Sequence, residues 1–467
     1  MRKTKIICTL GPATDSPEML ARLIAAGANV FRLNMSHGTH EWVRTVVPRI
    51  REVARQTSAN IAIMMDTQGP AIRTGDVATN LDLHPGDVVE FTVRGAKSEE
   101  HYSVDVNYDG LIDDIHEGDV VMVDNGNIHM KVLAKKENRV QCEVLTRGVL
   151  GSRRHINLPG VKVNLPPMTE KDLKDIVVGV EMEVDYFALS FCRERADVDA
   201  MRAELRRLGS DAHIIAKIED QHAVKHVKEI IDAADAVMVA RGDLGIECPM
   251  EELPIIQRRI VKLCLQVGKP VIVATHMLES MITNPLPTRA EITDVANAVY
   301  EQADAIMLSG ETSVGKYPAQ CVETFDRVAR RIERSGGAGF AGEAVIDGPR
   351  QKTVAAAVSL ANNFPHAKMV VFTFHGSMAL YVSHLRPLHA PIFAFSPDER
   401  VCRRLALLYG VHAMRMGFVA EPDKNVFAAE TALLLKGLAE SGDHLVVVTD
   451  ILDGDRRHES VQLRIVP

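Results

Sequence analysis

The sequence predicts an α/β protein: a (β/α)8 TIM barrel carrying an inserted all-β lid domain and followed by a C-terminal α/β domain. Three observations lead there. Eight short apolar runs alternate with helical patterns, a long β-patterned segment interrupts them after the third, and a Gly-rich stretch separates them from a last α/β region.

The eight runs are IICTL (6–10), VFRLNM (30–35), IAIMMD (61–66), YFALSF (186–191), HIIAKIE (213–219), AVMVAR (236–241), PVIVATHM (270–277) and AIMLSGE (305–311). Strands of a parallel sheet are buried on both faces and read as continuous apolar runs without alternation. Amphipathic patterns at 17–26, 198–208, 253–267 and 290–301 supply the crossovers. Eight such units favour a closed barrel over an open doubly wound sheet, although periodicity alone does not show closure. Between the third run and a helical pattern at 170–178 lie about a hundred residues with strand-like repeats (VVEFTV, DVVMVDNG, RVQCEVL). A segment of that length with its own β pattern is a domain, not a loop. The expected limits are therefore 1–69 and 165–340 for the barrel and 70–164 for the insert. The insert departs just after Asp66, at the C-terminal face of the strands, where it could close as a lid.

A helix at 318–334 ends the barrel, the Gly-rich run 336–349 reads as a linker, and 350–467 forms the third domain. There helices are expected at 353–363, 377–385, 398–409 and 425–440, and strands at 369–374, 391–395 and 444–449. The GxGxxG at 337–342 follows a helix rather than a strand and is set aside as a dinucleotide motif.

Composition narrows the function. Charged residues make up 25% and the formal charge is −8 without a long single-sign block, so neither nucleic acid nor a membrane surface is an expected partner. Seven scattered cysteines with no CxxC pair argue for a reducing compartment and against a zinc cage. The opening MRKTKIICTLGP holds too few apolar residues for a secretory leader, and no run reaches the ~20 apolar residues of a membrane span. A cytoplasmic protein is expected.

Barrel enzymes place their chemistry at the C-terminal strand ends. Here these ends carry Arg32, Asn34, Ser36 and His37; Asp66 and Thr67; Ser190; Lys217 and Glu219; Arg241 and Asp243; Thr275 and His276; Ser309 and Glu311. One alone could be a polar strand cap, but seven of eight ends aimed at one mouth exceed what stability requires. Glu219 and Asp243 are hard oxygen donors suited to Mg²⁺ (or Mn²⁺); salt bridges to Lys217 and Arg241 are the other use for them. Arg32, Arg73 and Lys217 are cations without an obvious local partner, as phosphate handling needs. In ARGDLG (240–245), Gly242 and Gly245 flank Asp243, and a helix starting there would offer N–H groups to an anion. Asn34, Ser36, Asp66 and Thr67 offer one carboxylate and three neutral oxygens, a set that fits K⁺. Together these features suggest phosphoryl transfer, in which catalysis is mostly positioning and charge neutralisation.

At these residues the chain resembles the pyruvate kinase family. The resemblance runs through KTKIICTLGPAT, VFRLNMSHGTHE, MDTQGPAIRTG, NLPG, VMVARGDLGIE, ATHMLESMI, PTRAEITDVANAV and AIMLSGETSVGKYP, in that order and over nearly the whole length. It implies phosphoenolpyruvate and ADP as substrates, pyruvate and ATP as products, a role in glycolysis and a homotetramer. It implies that Glu219 and Asp243 hold Mg²⁺ and that Lys217 neutralises the phosphoryl group in flight. Gly242, Asp243 and Thr275 would hold the substrate carboxylate. Arg32, Asn34, His37, Arg73 and the lid's Arg154 would contact phosphates, and Asn34, Ser36, Asp66 and Thr67 would bind K⁺. Thr275, with Ser309, would lie where the enolate takes its proton.

The chain also departs from the family pattern. Gln68 stands where the family has Lys, Ala71 where it has Glu or Lys, Asn125 where it has Asp, His276 where it has Gln, and Val314 where it has Lys. Arg154 replaces a Lys, and His155 follows it in place of a small residue. These changes motivate two other readings: a relative acting on a different enolpyruvyl or 2-oxo acid substrate, and a non-catalytic regulatory paralogue. In the last domain, 373–377 keeps part of the family's sugar-phosphate loop, while DILDGDRRHES (450–460) replaces the second loop. That speaks against activation by fructose bisphosphate.

Overall fold

Eight parallel strands close on themselves: Lys5–Thr9, Val30–Asn34, Ala62–Asp66, Tyr186–Leu189, His213–Ile218, Ala236–Ala240, Val271–Ala274 and Ala305–Leu308. The last pairs with the first in the register Lys5↔Ala305, which makes the sheet a closed barrel and removes the open-sheet alternative. The structure is a computed structural model that describes residues 1–98, 100–453 and 456–467, the side chains of 450–458 excepted.

Strand parity explains both the core and the site. Ile7, Val30, Ala62, Met64, Ala188, Ile215, Met238, Ile272 and Met307 form one cluster within the barrel. Their neighbours of opposite parity, such as Ile6, Phe31, Ile63 and Ile214, pack with the surrounding helices in a second and larger cluster. Carried one step further along the same inward rows, the sequence meets Arg32, Asp66, Ser190 and Lys217, and one more step beyond Lys217 it meets Glu219. The polar mouth is thus the continuation of an apolar interior.

Local signals set the helix ends. Pro17–Ala26 begins with Ser16 accepting the Met19 N–H at 3.2 Å and ends on Gly27 at φ 116°, a left-handed turn that suits glycine. Glu170–Glu181 starts with a capping box between Thr169 and Asp172.

The inserted segment forms a six-stranded sheet and a two-stranded ribbon around its own core, which includes Leu83, Phe91, Met130 and Val140. Its two connections to the barrel are tied together. The Gly69 N–H donates to Asp172 Oδ1 at 3.1 Å, so the capping residue of the helix that resumes the barrel also holds the point where the chain leaves it. Gly69 has φ 74°, and a Cβ there would lie 2.8 Å from Ser190 Cβ.

The C-terminal sheet has the order Val411–Arg415, Ile392–Ser396, Lys368–Phe372, His444–Asp453, Arg456–Ile465. The first four strands are parallel and the last is antiparallel. The two outermost strands were not expected from the sequence. Part of 450–460 lies outside the described residues; its flanks extend the two paired strands instead of forming an open loop. The helix expected at 398–409 is shorter, Glu399–Arg404, and a 3-10 turn Leu405–Leu407 follows. The reason is a packing duty: Ala406 and Leu407 stopper the base of the barrel interior. Arg403 donates to Asp185 (2.9 Å) and Arg386 to Asp304 (2.7 Å), pinning this domain to the barrel base. All seven cysteines are unpaired and buried. Among the described residues, no helix is long and apolar enough to cross a membrane.

Candidate active site

A ladder of alternating charge crosses the mouth over four strands. Arg32 Nε donates to Asp66 Oδ2 at 2.6 Å, and Lys217 Nζ stands 3.2 Å from Asp66 Oδ1 and 2.9 Å from Glu219 Oε1. Ser190 Oγ accepts from Lys217 (2.7 Å) and donates to the Thr67 carbonyl (2.7 Å), while the Phe191 N–H donates to Glu219 Oε2 (2.6 Å). All of these side chains except Phe191's are buried. Arg32 and Lys217 therefore do have partners: the Lys217–Glu219 pair is the salt bridge the sequence offered as the other use of Glu219, whereas Asp66, the partner common to both cations, is brought in by the order of the strands.

Burial alone would raise the Asp66 carboxyl, but Lys217 and Arg32 outweigh it and hold the group below its ordinary value. Burial opposes the Lys217 ammonium, yet Asp66 and Glu219 keep it above its ordinary value. Glu219 moves the other way. Burial pushes it up, Lys217 pulls it down, and Asp243 pushes it up again, with the net result about 7. Two cations face two carboxylates in the ladder, and Asp243 adds a third carboxylate. Asp243 has no Lys or Arg partner among the described residues: Arg241, its partner in the alternative salt-bridge reading, forks onto Asp294 at 2.6 and 2.7 Å instead. The surplus negative charge beside Glu219 is the electrostatic complement of a cation. No three His, Cys, Asp or Glu side chains among the described residues are gathered for a metal, so a divalent ion here would need oxygens from a substrate as well.

Arg241 has a second task. Its Nη2 donates to the Thr275 carbonyl at 2.6 Å and its Nε to the Ala274 carbonyl at 3.2 Å. Thr275 and His276 both have left-handed backbones, φ 70° and 54°, a costly conformation for a β-branched residue. The Arg241–Asp294 pair holds that turn. Gly242 faces it: a Cβ there would lie 3.6 Å from Thr275 Oγ1 and 3.7 Å from His276 Cε1, ordinary contact distances. Ser309 continues the inward row of its strand, and its buried Oγ has no hydrogen-bond partner among the described residues.

The remaining expected residues are placed as follows. Asn34 is in register with Asp66 on the adjacent strand, and its Oδ1 accepts the Ser36 N–H at 3.2 Å. Thr67 Oγ1 donates to the Ala188 carbonyl at 3.1 Å, while Ser36 and His37 are exposed. Arg73 reaches the Arg153 carbonyl at 3.2 Å, and Arg154 pairs with Asp124 at 3.1 Å within the lid. Sequence reasoning missed Arg241 with Asp294, the Phe191 N–H and the position of His155. Only the last had a signal, a large residue where a small one was expected. Between lid and rim lies a cleft of about 690 Å³, with Gly242, Gly245 and His276 on one wall and Asn125, Gly126 and His129 on the other.

Comparison with known proteins agrees with this geometry. Residues 1–322 match the pyruvate kinase barrel domain and residues 351–461 the pyruvate kinase alpha/beta domain. Plastidial pyruvate kinase 2 of Arabidopsis thaliana is 42% identical over 96% of this chain and 78% of its own length. Pyruvate kinase of Geobacillus stearothermophilus is 41% identical over 97% and 78%. A crystal structure of a pyruvate kinase from Cryptosporidium parvum superposes with a TM-score of 0.94 at 33% identity, covering 100% of this chain and 96% of that one. The chain therefore belongs to the pyruvate kinase family and is a phosphotransferase of that kind.

Proposed function

We propose that the charge ladder and the Asp243 turn form the site at which phosphoenolpyruvate and ADP are converted to pyruvate and ATP. The observation that carries this reading is the buried set Arg32, Asp66, Lys217 and Glu219 with one uncompensated carboxylate, Asp243, beside it.

Glu219 and Asp243 are the donors for a divalent ion, Mg²⁺ or Mn²⁺, which when bound neutralises phosphoryl and carboxylate oxygens. Lys217, locked by Ser190, Asp66 and Glu219, offers a charge that needs no reorganisation as the phosphoryl group crosses. Arg32 stands on the same rung, while Arg73, Asn34, His37 and Arg154 border the phosphate side. The Gly242–Asp243 turn and Thr275 receive the substrate carboxylate; Gly242 stands directly against the Thr275 hydroxyl. Thr275 and the unpartnered Ser309 Oγ lie on the face where the enolate takes a proton. K⁺ is assigned to Asn34, Ser36, Asp66 and Thr67, supported by the Asn34↔Asp66 register; activity unchanged from zero to high K⁺ would remove that assignment. The domain limits 1–69 with 165–340, 70–164 and 350–467, a homotetramer and a cytoplasmic location belong to the same reading. A different enolpyruvyl or 2-oxo acid substrate and a non-catalytic paralogue are not favoured, since relatives with pyruvate kinase names match nearly the whole chain.

The test is pyruvate formation as a function of Mg²⁺ in Asp243→Asn and Glu219→Gln. Half-saturation by Mg²⁺ is expected to rise about 10²-fold or activity to vanish. An unchanged Mg²⁺ dependence in both variants refutes the assignment.

A further inference from the structure

The turn 190–193, just past the strand Tyr186–Leu189, grips three parts of the molecule at once. Ser190 Oγ accepts from Lys217 (2.7 Å), the Phe191 N–H donates to Glu219 Oε2 (2.6 Å), and Arg193 Nη1 donates to the Val163 carbonyl (2.9 Å) where the chain returns from the lid. Phe191 has φ 52°, a left-handed backbone that is rare for a bulky residue. Its half-buried ring lies against both lid connections. On the outgoing one, a Cβ on Gly69 would meet the ring at 2.9 Å; on the returning one, the His155 ring stands at a centroid distance of 5.9 Å. The two connections are themselves joined, with the Ile156 N–H donating to the Ile72 carbonyl at 2.9 Å and a backbone bridge between Arg73 and His155. Phe191 shares the wall of a cavity of about 70 Å³ with Pro70, Ile72, Ile156 and Leu158.

We propose, on the reading that Glu219 is a donor for the divalent ion, that Phe191 is a positioning residue tying the lid's hinge to Glu219. The place of the lid and the set of that carboxylate then depend on each other.

Glu219 is held from two sides. Oε1 meets Lys217 inside the barrel at 2.9 Å, and Oε2 meets the residue that touches the lid. The left-handed well is narrow and Gly69 confines the ring, so a displaced hinge moves Phe191 as a unit, and with it the N–H on Glu219. A costly backbone conformation persists where its surroundings over-determine it, and here they are a buried carboxylate on one side and the hinge on the other. Coupling of this kind is reciprocal: whatever fixes Glu219 also orders the hinge.

The test uses the full chain with phosphoenolpyruvate bound and ADP omitted, so that nothing turns over. Hydrogen exchange at 69–73 and 155–158 is followed as Mg²⁺ is added. Phe191→Gly and Phe191→Asn both accept a left-handed backbone and keep the N–H while removing the ring, and Phe191→Tyr keeps the ring. In the unaltered protein Mg²⁺ should slow exchange at these hinge segments about tenfold. Phe191→Tyr should retain that response, whereas Phe191→Gly and Phe191→Asn should reduce it to less than about twofold. In pyruvate formation the two ringless variants should raise half-saturating Mg²⁺ about tenfold, more than they lower kcat at saturating Mg²⁺. A ring that merely fills space would leave the exchange response intact in both, and that result overturns the inference, as does an unaltered protein whose hinge ignores Mg²⁺. Glu219→Gln separates the two levels. If it keeps the unaltered Mg²⁺ half-saturation and exchange response, the metal assignment itself fails and the inference falls with it. If it loses the response while Phe191→Gly and Phe191→Asn keep it, the inference alone fails.

Discussion

Glu247 gives a prediction whose size can be worked from the structure. It ends the Asp243-bearing helix, is buried, and accepts Asn157 Nδ2 from the lid at 2.9 Å. Burial pushes its carboxyl from 4.5 to about 7. The Asn157 and Leu158 hydrogen bonds act against this, and Asp220 and Asp243 add to the rise. A folded value above the unfolded one means that native Glu247 holds its proton more tightly. Its contribution is therefore fully present below about pH 4.5 and is lost as pH rises through about 7. The difference amounts to about 3 kcal/mol by pH 8. Glu247→Gln removes the ionisation and keeps a carbonyl for Asn157. Its new N–H₂ can also address Asn157 Oδ1, which is buried without a partner. Hydrogen exchange at 156–158, corrected for intrinsic rate, is the assay, because it reads the lid contact locally in a multidomain chain. Protection in the unaltered protein should fall between pH 5 and 8, and Glu247→Gln should restore most of it at pH 8. Protection independent of pH, or lower in Glu247→Gln at pH 8, refutes the reasoning.

Two further outcomes follow from specific contacts. Arg241→Lys cannot hold Asp294 and the Thr275 carbonyl with one planar fork, so the strained turn should loosen. We expect kcat for pyruvate formation to fall about 10²-fold with a smaller change in KM, and an unaltered kcat would show the clamp to be idle. Gly69→Ala puts a Cβ in a left-handed backbone at 2.8 Å from Ser190 Cβ and 2.9 Å from the Phe191 ring. The combined strain and overpacking should cost on the order of 2–4 kcal/mol, visible as a lowered thermal transition. A transition unmoved by the substitution would mean that this hinge relaxes freely.

Much of the barrel was legible in the sequence because strands buried on both faces advertise themselves as apolar runs. The two outermost strands of the C-terminal sheet were not. Among the described residues Val411–Arg415 and Arg456–Ile465 each pair with a single strand, and the described side chains along them are largely half-buried or exposed, so the continuous apolar signature is missing. Leu405–Leu407 misled for the opposite reason: its apolar residues look helical but serve as a stopper for another domain. In the site, residue types and strand ends were readable, and pairings between strands were not. Lys217 with Glu219, two residues apart on one strand, was readable as a salt bridge, but nothing along the chain links Arg32 or Lys217 to Asp66, since those contacts arise from strand order and register. The sign of φ at Thr275 is likewise absent from sequence, because a threonine there signals extended backbone.

The central claim is that Lys217, fixed between Asp66 and Glu219, carries the transferring phosphoryl charge. The most direct test is the turnover of Lys217→Met in pyruvate formation from phosphoenolpyruvate and ADP, at saturating substrates and Mg²⁺, with folding verified by circular dichroism. The account predicts a fall in kcat of about 10³-fold or more. Turnover within about tenfold of the unaltered protein would contradict it.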